Sequence, residues 1–388
     1  MNTERIIETK ICKHCHINFD ITDRDLEFYD KISPSFSWIK YNIPSPTLCS
    51  YCRHQRRLSF RNERYLYKWK SDLTWKDVIS MYSPDKLIKF NEQSEWWSDK
   101  WNPLDYWLDF DFNEPFFYQF ERLFKNIPHS SLLNASNENS EYSNYCSYLK
   151  NCYLLFDSSN CEHSHYWYNV WNSTYSLDSI VISSCENIYE CIDCINCYNV
   201  FFSQNCNWCR DSYFLDNCRG CLNCIGCCNL SNKQYYIDNE FVWKEKYEQS
   251  LKKIKNNFIK HKEYYLNKVK NYPKKYAFLI QTENVYWNSM ISSKNCYSCF
   301  DWIYFEDCKY CSNWSDMKDT YDCESVWIWS SLSYELNASM RADRVLFSFG
   351  CWGSNIIYSI SSTWNNLFWC VGLHNNESYC ILNKQYTK

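Results

Sequence analysis

NCYLLFDSSNCEHSHYWYNVWNSTYSLDSIVISSCE, residues 151–186, carries the rhythm that decides the fold. NCY at 151–153 is followed by STY at 173–175, NCY at 196–198 and GCL at 220–222, at spacings of 22, 23 and 24 residues. NCE at 160–162, SCE at 184–186 and NCN at 205–207 form a second set about half a period out of phase. A fixed period of roughly 20–25 residues, with Asn, Asp and Ser between short apolar runs, is the mark of a solenoid. Runs such as SIVIS (179–183) and NVFFS (199–203) are β-branched and aromatic, so the rungs read as strands. This period predicts three to four coils, with Cys152, Thr174, Cys197 and Cys221 stacked one above another.

The rhythm occurs twice. KNCYLLFD at 150–157 returns as KNCYSCFD at 294–301, STY at 173–175 as DTY at 319–321, and YYIDN at 235–239 as YCILN at 379–383. The offsets are 144, 146 and 144 residues, which marks a duplication. Between the copies, Leu251, Ile254, Phe258, Tyr265 and Val269 fall at helical spacing in a segment with 11 Lys and 3 Glu, ended by Pro273. The fold class expected is therefore mainly β: a zinc-ribbon or treble-clef module followed by two duplicated β-solenoid lobes joined by a basic helix. The expected divisions are 1–69 (zinc module with its basic helix), 70–135 (aromatic-rich linker domain), 136–242 (first lobe), 243–276 (connecting helix) and 277–388 (second lobe). The chain stops at Lys388, where the second copy would begin its own helix, which reads as a truncation. PFFYQFERLF at 115–124 reads as a short helix with Asn113 as its N-cap.

Composition narrows the function classes. The 388 residues suffice for two or three domains, and a net charge of -4 gives no global call for nucleic acid or membrane. No run of 18 apolar residues exists to span a bilayer, and the polar start MNTERIIETKICKHC lacks the apolar stretch of a secretory signal. A cytoplasmic location is expected, where 26 cysteines argue for metal ligands and buried thiols over disulfides. Glycine is only 5 residues while tryptophan is 19, against about 7% glycine in ordinary proteins. In a chain rich in Asn, Lys, Ile and Tyr, this suggests UGA codons meant as glycine and read as tryptophan. Aligning CCNL (227–230) with CVGL (370–373) sets Gly226 opposite Trp369. On this reading Trp75, Trp107, Trp243, Trp287 and Trp369 belong in turns or at strand ends with exposed rings at positive φ, whereas Trp96, Trp97 and Trp101 belong in the core.

The strongest chemical motif is the pair CKHC (12–15) and CSYC (49–52). Two thiols two residues apart let one tight turn aim both sulfurs at a single ion, and two such turns complete a tetrahedron. Cys12, Cys15, Cys49 and Cys52 are thus the expected zinc ligands, and four protein ligands leave no position open for catalysis. The long gap between the pairs accommodates an inserted helix, for which Thr22 and Asp25 form a capping box. His14, His16 and His54 read as surface residues. Arg53, Arg57, Arg61, Arg64 and Lys68 then step by 4, 4, 3 and 4, and with Arg56 they would form a basic helical face able to hold phosphates. A solvated or internally paired face is the alternative. In CIDCINC (191–197), CNWC (206–209) and CRGCLNCIGC (218–227), the alternatives are buried structural thiols, further zinc, or an iron–sulfur cluster at Cys218, Cys221, Cys224 and Cys227. A nucleophile beside a base, a glycine-rich phosphate loop, an HExxH helix and an EF-hand loop are all absent from the sequence, which points away from an enzyme.

Over nearly its full length the chain resembles an uncharacterised cysteine-rich zinc-ribbon/repeat family of metagenome-derived ultra-small bacteria. The resemblance rests on PTLCSYCRHQRRLSFRNERYLY, ISMYSPDK, WWSDKWNPLDYW, FDFNEPFF, KNCYLLFD, CRGCLNCIGCCNL and YCILNKQYTK. It implies glycine at the positions of Trp75, Trp107 and Trp369, since some lineages of such bacteria read UGA as glycine. It also implies a second zinc site in relatives, whose cysteine positions Ser71, Thr74, Glu92 and Glu95 occupy here. The family brings no assigned activity. The expected role is a cytoplasmic, non-enzymatic, zinc-binding scaffold with RNA or DNA as partner. A protein-interaction scaffold and a cysteine-ladder metal-storage or redox protein are the rivals.

Overall fold

The computed structural model describes residues 4–59, 61–277, 348–374 and 377–387, with Leu346 and, between 279 and 345, only the backbone of short strand segments. The chain divides into two compact units that do not follow sequence order. One unites residues 1–62, 86–129 and 275–388, the other 63–85 and 130–274.

The second unit holds the solenoid. Leu155 pairs in parallel with Trp167, Val170 with Ile182, Ile182 with Cys194, and Val200 with Ser212. Each coil is therefore twelve residues, half the period read from the tripeptides. The spacing of 22 to 24 skips every other coil, and the out-of-phase set is the coil between. Cys197 and Cys221 do share a column, two coils apart. Cys152 belongs to a different column, and Thr174 does not point inward.

Within a coil the unit is a triplet. From Cys146 to Cys227 every third side chain is buried. From Tyr145 to Asp238 every third residue has a left-handed backbone, with φ between 47° and 63°. Four triplets make the four short sides of a coil, and the left-handed residue turns each corner. That conformation costs most side chains roughly 1–2 kcal/mol and costs Gly, Asn and Asp much less. More than half of the corner residues are Asn, Asp or Gly. Some of them stack into ladders, Asn139 Nδ2 donating to Asn151 Oδ1 at 3.0 Å and Asn199 Nδ2 to Asp211 Oδ1 at 2.8 Å.

So narrow an interior must satisfy its own backbone. Ser173 Oγ donates to the carbonyl of Trp171 (2.8 Å) and accepts the amide of Cys185, twelve residues on, at 3.1 Å. Cys185 occupies the same column. Its Sγ donates to the carbonyls of Ser183 (3.3 Å) and Cys194 (3.4 Å) and faces the amide of Cys197 at 3.5 Å. Inward Trp167 packs with Leu155 and Val170, and the inward positions Ser158, Ser164, Ser176 and Ser179 around it are serine.

Both lobes end the same way. Asn239 Oδ1 accepts the Cys228 amide (2.8 Å) and its Nδ2 donates to the Cys228 carbonyl (2.9 Å), replacing the next coil. Asn383 treats Val371 identically, at 2.9 and 2.8 Å. Each Asn sits at positive φ, 66° and 62°, in the two-residue turn of an antiparallel hairpin. The repeated YYIDN and YCILN are thus end caps. In the second lobe Ile356 pairs with Leu367 and Leu367 with Cys380, again in parallel. KNCYSCFD at 294–301 lies outside the described residues.

The remaining elements are short. β1 (Ile6–Ile11) and β2 (Asn18–Thr22) form an antiparallel hairpin, followed by α1 (Asp23–Ile32) and α2 (Ser50–Leu58). α1 begins at the expected capping box of Thr22 and Asp25. β3 (Tyr67–Lys70) and β4 (Asp77–Ser80) make a second hairpin. α3 (Phe116–Asn126) starts after Pro115, so Asn113 is not its cap; the Asn113 amide donates to Asp111 Oδ1 instead. Leu123 and Ile127 of this segment pack with Trp96, Trp101, Val371 and Leu382. The connecting segment is two helices, α4 (Lys244–Asn256) and α5 (Phe258–Val269), broken at Asn257. Ile254, Tyr265 and Val269 are buried.

The tryptophans separate in part. Trp75 (φ 60°, 74% exposed) and Trp369 (φ 59°) stand in left-handed positions, as does Gly226 at 63°. Trp107 and Trp243 are exposed but have negative φ, -57° and -71°. Trp96 and Trp101 are buried, whereas Trp97 is 42% exposed, against expectation. Trp287 lies outside the described residues.

The cap is open to a direct test. Asn239→Ala strands a buried amide and carbonyl and should destabilise the first lobe by about 1–3 kcal/mol. Asn239→Asp keeps the acceptor and should lose less. Denaturant unfolding followed by far-UV circular dichroism measures both.

Candidate metal centre

β1 and β2 diverge into the turn that carries Cys12 and Cys15. Cys12 N–H donates to the Ile17 carbonyl and its own carbonyl accepts His16 N–H, both at 3.0 Å, with His16 at φ 60°. Cys49 and Cys52 come from the start of α2, where Cys49 is the N-cap. A helix start presents free amides and a partial positive charge to thiolates. The four sulfurs all lie within 4.8 Å of one another, and those of Cys15 and Cys49 are 3.6 Å apart. Ligands at about 2.3 Å from a tetrahedral centre stand about 3.8 Å apart, so this set fits one soft metal ion. Among the described residues it is the one group of three or more Cys, His, Asp or Glu donors with that closeness.

The electrostatics agree. Burial pushes the Cys52 thiol up to about 12, the three neighbouring thiols adding to the effect, and burial also raises Cys49. Cys12 is held down at about 5: burial opposes this, but the backbone N–H groups of Cys15, Cys49 and His14 outweigh it. Four thiols this close cannot all ionise without a cation, so protons and a metal compete for them. The Cys49 amide donates to Cys12 Sγ at 3.3 Å, and His14 Nδ1 lies 3.4 Å from Cys52 Sγ. His14 is exposed, as its reading as a surface residue has it, and from there its ring supports a ligand.

A second turn of the same shape joins β3 to β4. Ser71 N–H donates to the Lys76 carbonyl (3.0 Å), Trp75 N–H donates to the Ser71 carbonyl (2.9 Å), and Trp75 has φ 60°. Ser71, Thr74 and Trp75 therefore match Cys12, Cys15 and His16, with hydroxyls in place of thiols.

The other site expectations fare differently. α2 ends at Leu58, so Arg61, Arg64 and Lys68 do not continue a helical face, and Lys68 lies on β3. Arg53 and Arg57 are buried, Arg53 Nη1 donating to Tyr29 Oη at 3.4 Å. Arg64 lies over the ring of Tyr168, 4.1 Å from its centroid, and Arg56 is exposed. The predicted arginine stripe does not form. It fails because α2 stops at Leu58 and because Arg53 and Arg57 turn inward, Arg53 towards Tyr29 of α1.

Cys218, Cys221, Cys224 and Cys227 stand on the four successive sides of one coil and donate to carbonyls, as in Cys218 to Cys227 O at 3.4 Å and Cys221 to Leu230 O at 3.5 Å. The two-residue gap is the triplet repeat. Burial raises Cys146 and pushes Cys161 up to about 12. Cys194 and Cys221 are lowered by the neighbouring thiols each accepts from, yet both are buried. The signal overlooked in the sequence was Asn, Asp or Gly two residues after so many of these cysteines.

No helix among the described residues is long and apolar enough to cross a membrane. Comparison with known families finds no family model that matches the chain, and comparison with curated proteins finds no match.

Alkylation separates the two thiol classes. In native protein the inward cysteines from Cys146 to Cys227 should react only as fast as the solenoid unfolds, while Cys12, Cys15, Cys49 and Cys52 should become reactive once a chelator is added. Mass spectrometry of the labelled peptides checks it.

Proposed function

We propose that the chain is a non-enzymatic cytoplasmic scaffold, stapled by zinc at Cys12, Cys15, Cys49 and Cys52, whose first solenoid lobe holds a protein partner. Zinc is the ion that suits four thiolates at tetrahedral spacing, and a closed site of this kind contributes folding energy and no reactive position. The observation that carries the scaffold reading is the set of large side chains left in solvent on one lobe: Tyr142, Tyr153, Tyr166 and Tyr175 are all exposed. Tyrosine on a rigid frame supplies contact area at low entropic cost, and exposed apolar groupings mark interaction sites. The same reading places the chain with the cysteine-rich family it resembles.

Nucleic acid is the second reading, favoured by the exposure of Arg56, Arg64 and Lys68. Burial of Arg53 and Arg57 removes the centre of the surface it needs.

Purified protein should contain one equivalent of zinc, lost as pH falls because protons displace the metal from the thiols. Elemental analysis across pH measures this; absence of bound metal, with the four thiols free, would sink the staple. A photo-crosslinking residue at Tyr166 in the native host should capture polypeptide. Capture of RNA or DNA there, or oligonucleotide binding that weakens steeply with salt, would favour the second reading.

A further inference from the structure

One column of the first lobe is half covered. It runs through Tyr142, Leu154, Tyr166, Asp178, Glu190, Phe202, Phe214, Gly226 and Asp238, one residue per coil. α5 lies along the later members. Phe258 packs on Phe202, and Tyr265 stacks on Phe214, at ring distances of 4.9 Å each. Gly226 leaves the space Tyr265 fills, since a Cβ there would meet that ring at 2.4 Å. Lys262 pairs with Glu190 at 2.7 Å, and Lys268 with Asp238, also at 2.7 Å.

An apolar run closed by an aspartate also precedes it, uncovered. Five coils earlier the positions of Phe202, Phe214, Gly226 and Asp238 are held by Tyr142, Leu154, Tyr166 and Asp178, so that a ring of the column itself, Tyr166, stands where Gly226 leaves room for Tyr265. The neighbouring column repeats the match, with Tyr153, His165 and Leu177 standing for Tyr213, Ile225 and Ile237. Tyr213 and Ile225 are buried beneath the helices, whereas Tyr142, Tyr153, Tyr166, Leu177 and Asp178 are exposed. The open rings touch edge to face, Tyr142 on Tyr153 at 5.4 Å and Tyr153 on Tyr166 at 5.8 Å, so the surface is already ordered.

The geometry points to a lysine-bearing amphipathic helix of a partner protein as the occupant of this open half. The inference rests on the scaffold reading and names its partner's chemistry. Continuity with the α5 contact supplies the first reason. Spacing supplies the second: aromatic anchors seven apart on one helix face, like Phe258 and Tyr265, meet rings on successive coils, Phe202 and Phe214. Charge supplies the third. Asp178 closes the apolar run as Asp238 does, and α5 answers Asp238 with Lys268, three residues after its second anchor. The partner helix therefore carries apolar anchors at i and i+7 and a lysine at i+10. Exposed Glu141, in the neighbouring column, adds to the preference for a basic helix, while Glu162 is ranged beside exposed Lys150.

A labelled synthetic peptide of residues 257–270 serves as the probe, titrated into the full metal-loaded chain. Saturable one-to-one binding is expected, weakened about tenfold by Tyr166→Ser, as for loss of one well-packed aromatic contact. Asp178→Lys should weaken it too, and a peptide with the lysine corresponding to Lys268 changed to Glu should recover affinity for that variant. Unchanged thermal unfolding of the two variants guards against misfolding. Binding indifferent to both substitutions, or no binding to about 1 mM, overturns the inference. So does a chain dimer that Tyr166→Ser dissolves, since the occupant would then be a second copy. A photo-crosslink from Tyr166 to polypeptide with no peptide binding rejects the helix and leaves the scaffold standing; no crosslink to polypeptide rejects both.

Discussion

A coil of twelve residues is too narrow to hold water, yet its corners turn backbone amides and carbonyls inward. Everything else in the solenoid follows from how those groups are satisfied. A short side chain with one polar hydrogen can reach the carbonyl two residues back and meet the amide one coil ahead, as Ser173 and Cys185 do in the same column. Serine makes the shorter bonds, and cysteine adds apolar volume and a polarizable surface. An interior of valine and leucine alone would leave these groups unpaired, at a cost of roughly 1–3 kcal/mol each.

Two kinds of cysteine therefore share the chain under one spacing. In the lobe, Cys-x-x-Cys is the triplet repeat and sends each thiol into a different side of the coil. At the N-terminus the same spacing falls in a hairpin turn and at a helix start, and both sulfurs of each pair face one point. The backbone, not the motif, decides which chemistry is available. The β3–β4 turn makes the converse case, keeping the backbone of a metal-binding turn with Ser71 and Thr74 in the donor positions.

The open aromatic column and the covered one share a similar logic. A solenoid displays one residue per coil along each edge, so a surface that suits a helix in one place can recur a whole number of coils away. α5 covers Phe202 and Phe214 because the chain leaves the sheet at the Asn239 cap and folds back over it. Tyr142 and Tyr166 remain exposed, with no described helix over them.

Much was legible before any coordinates. Strand periodicity, the duplication, the four N-terminal ligands and the α1 capping box all rest on local rules, in which neighbouring residues determine backbone shape and the pairing of donors. Sequence by itself determined that residues 151–240 coil in stacked strands, and that four thiols gather two by two at one point, although the second pair comes from a helix start and not from the tight turn expected. It misled on coil length because similar tripeptides recur on alternate coils, and a repeat cannot reveal its smallest unit when intervening copies have diverged. Only tertiary structure decided which arginines reach solvent, since Arg53 and Arg57 are buried and Arg53 meets Tyr29, 24 residues away in sequence. It alone also assigned YYIDN its role, because Asn239 caps a coil by reaching Cys228, eleven residues back in sequence and adjacent only once the coil has closed.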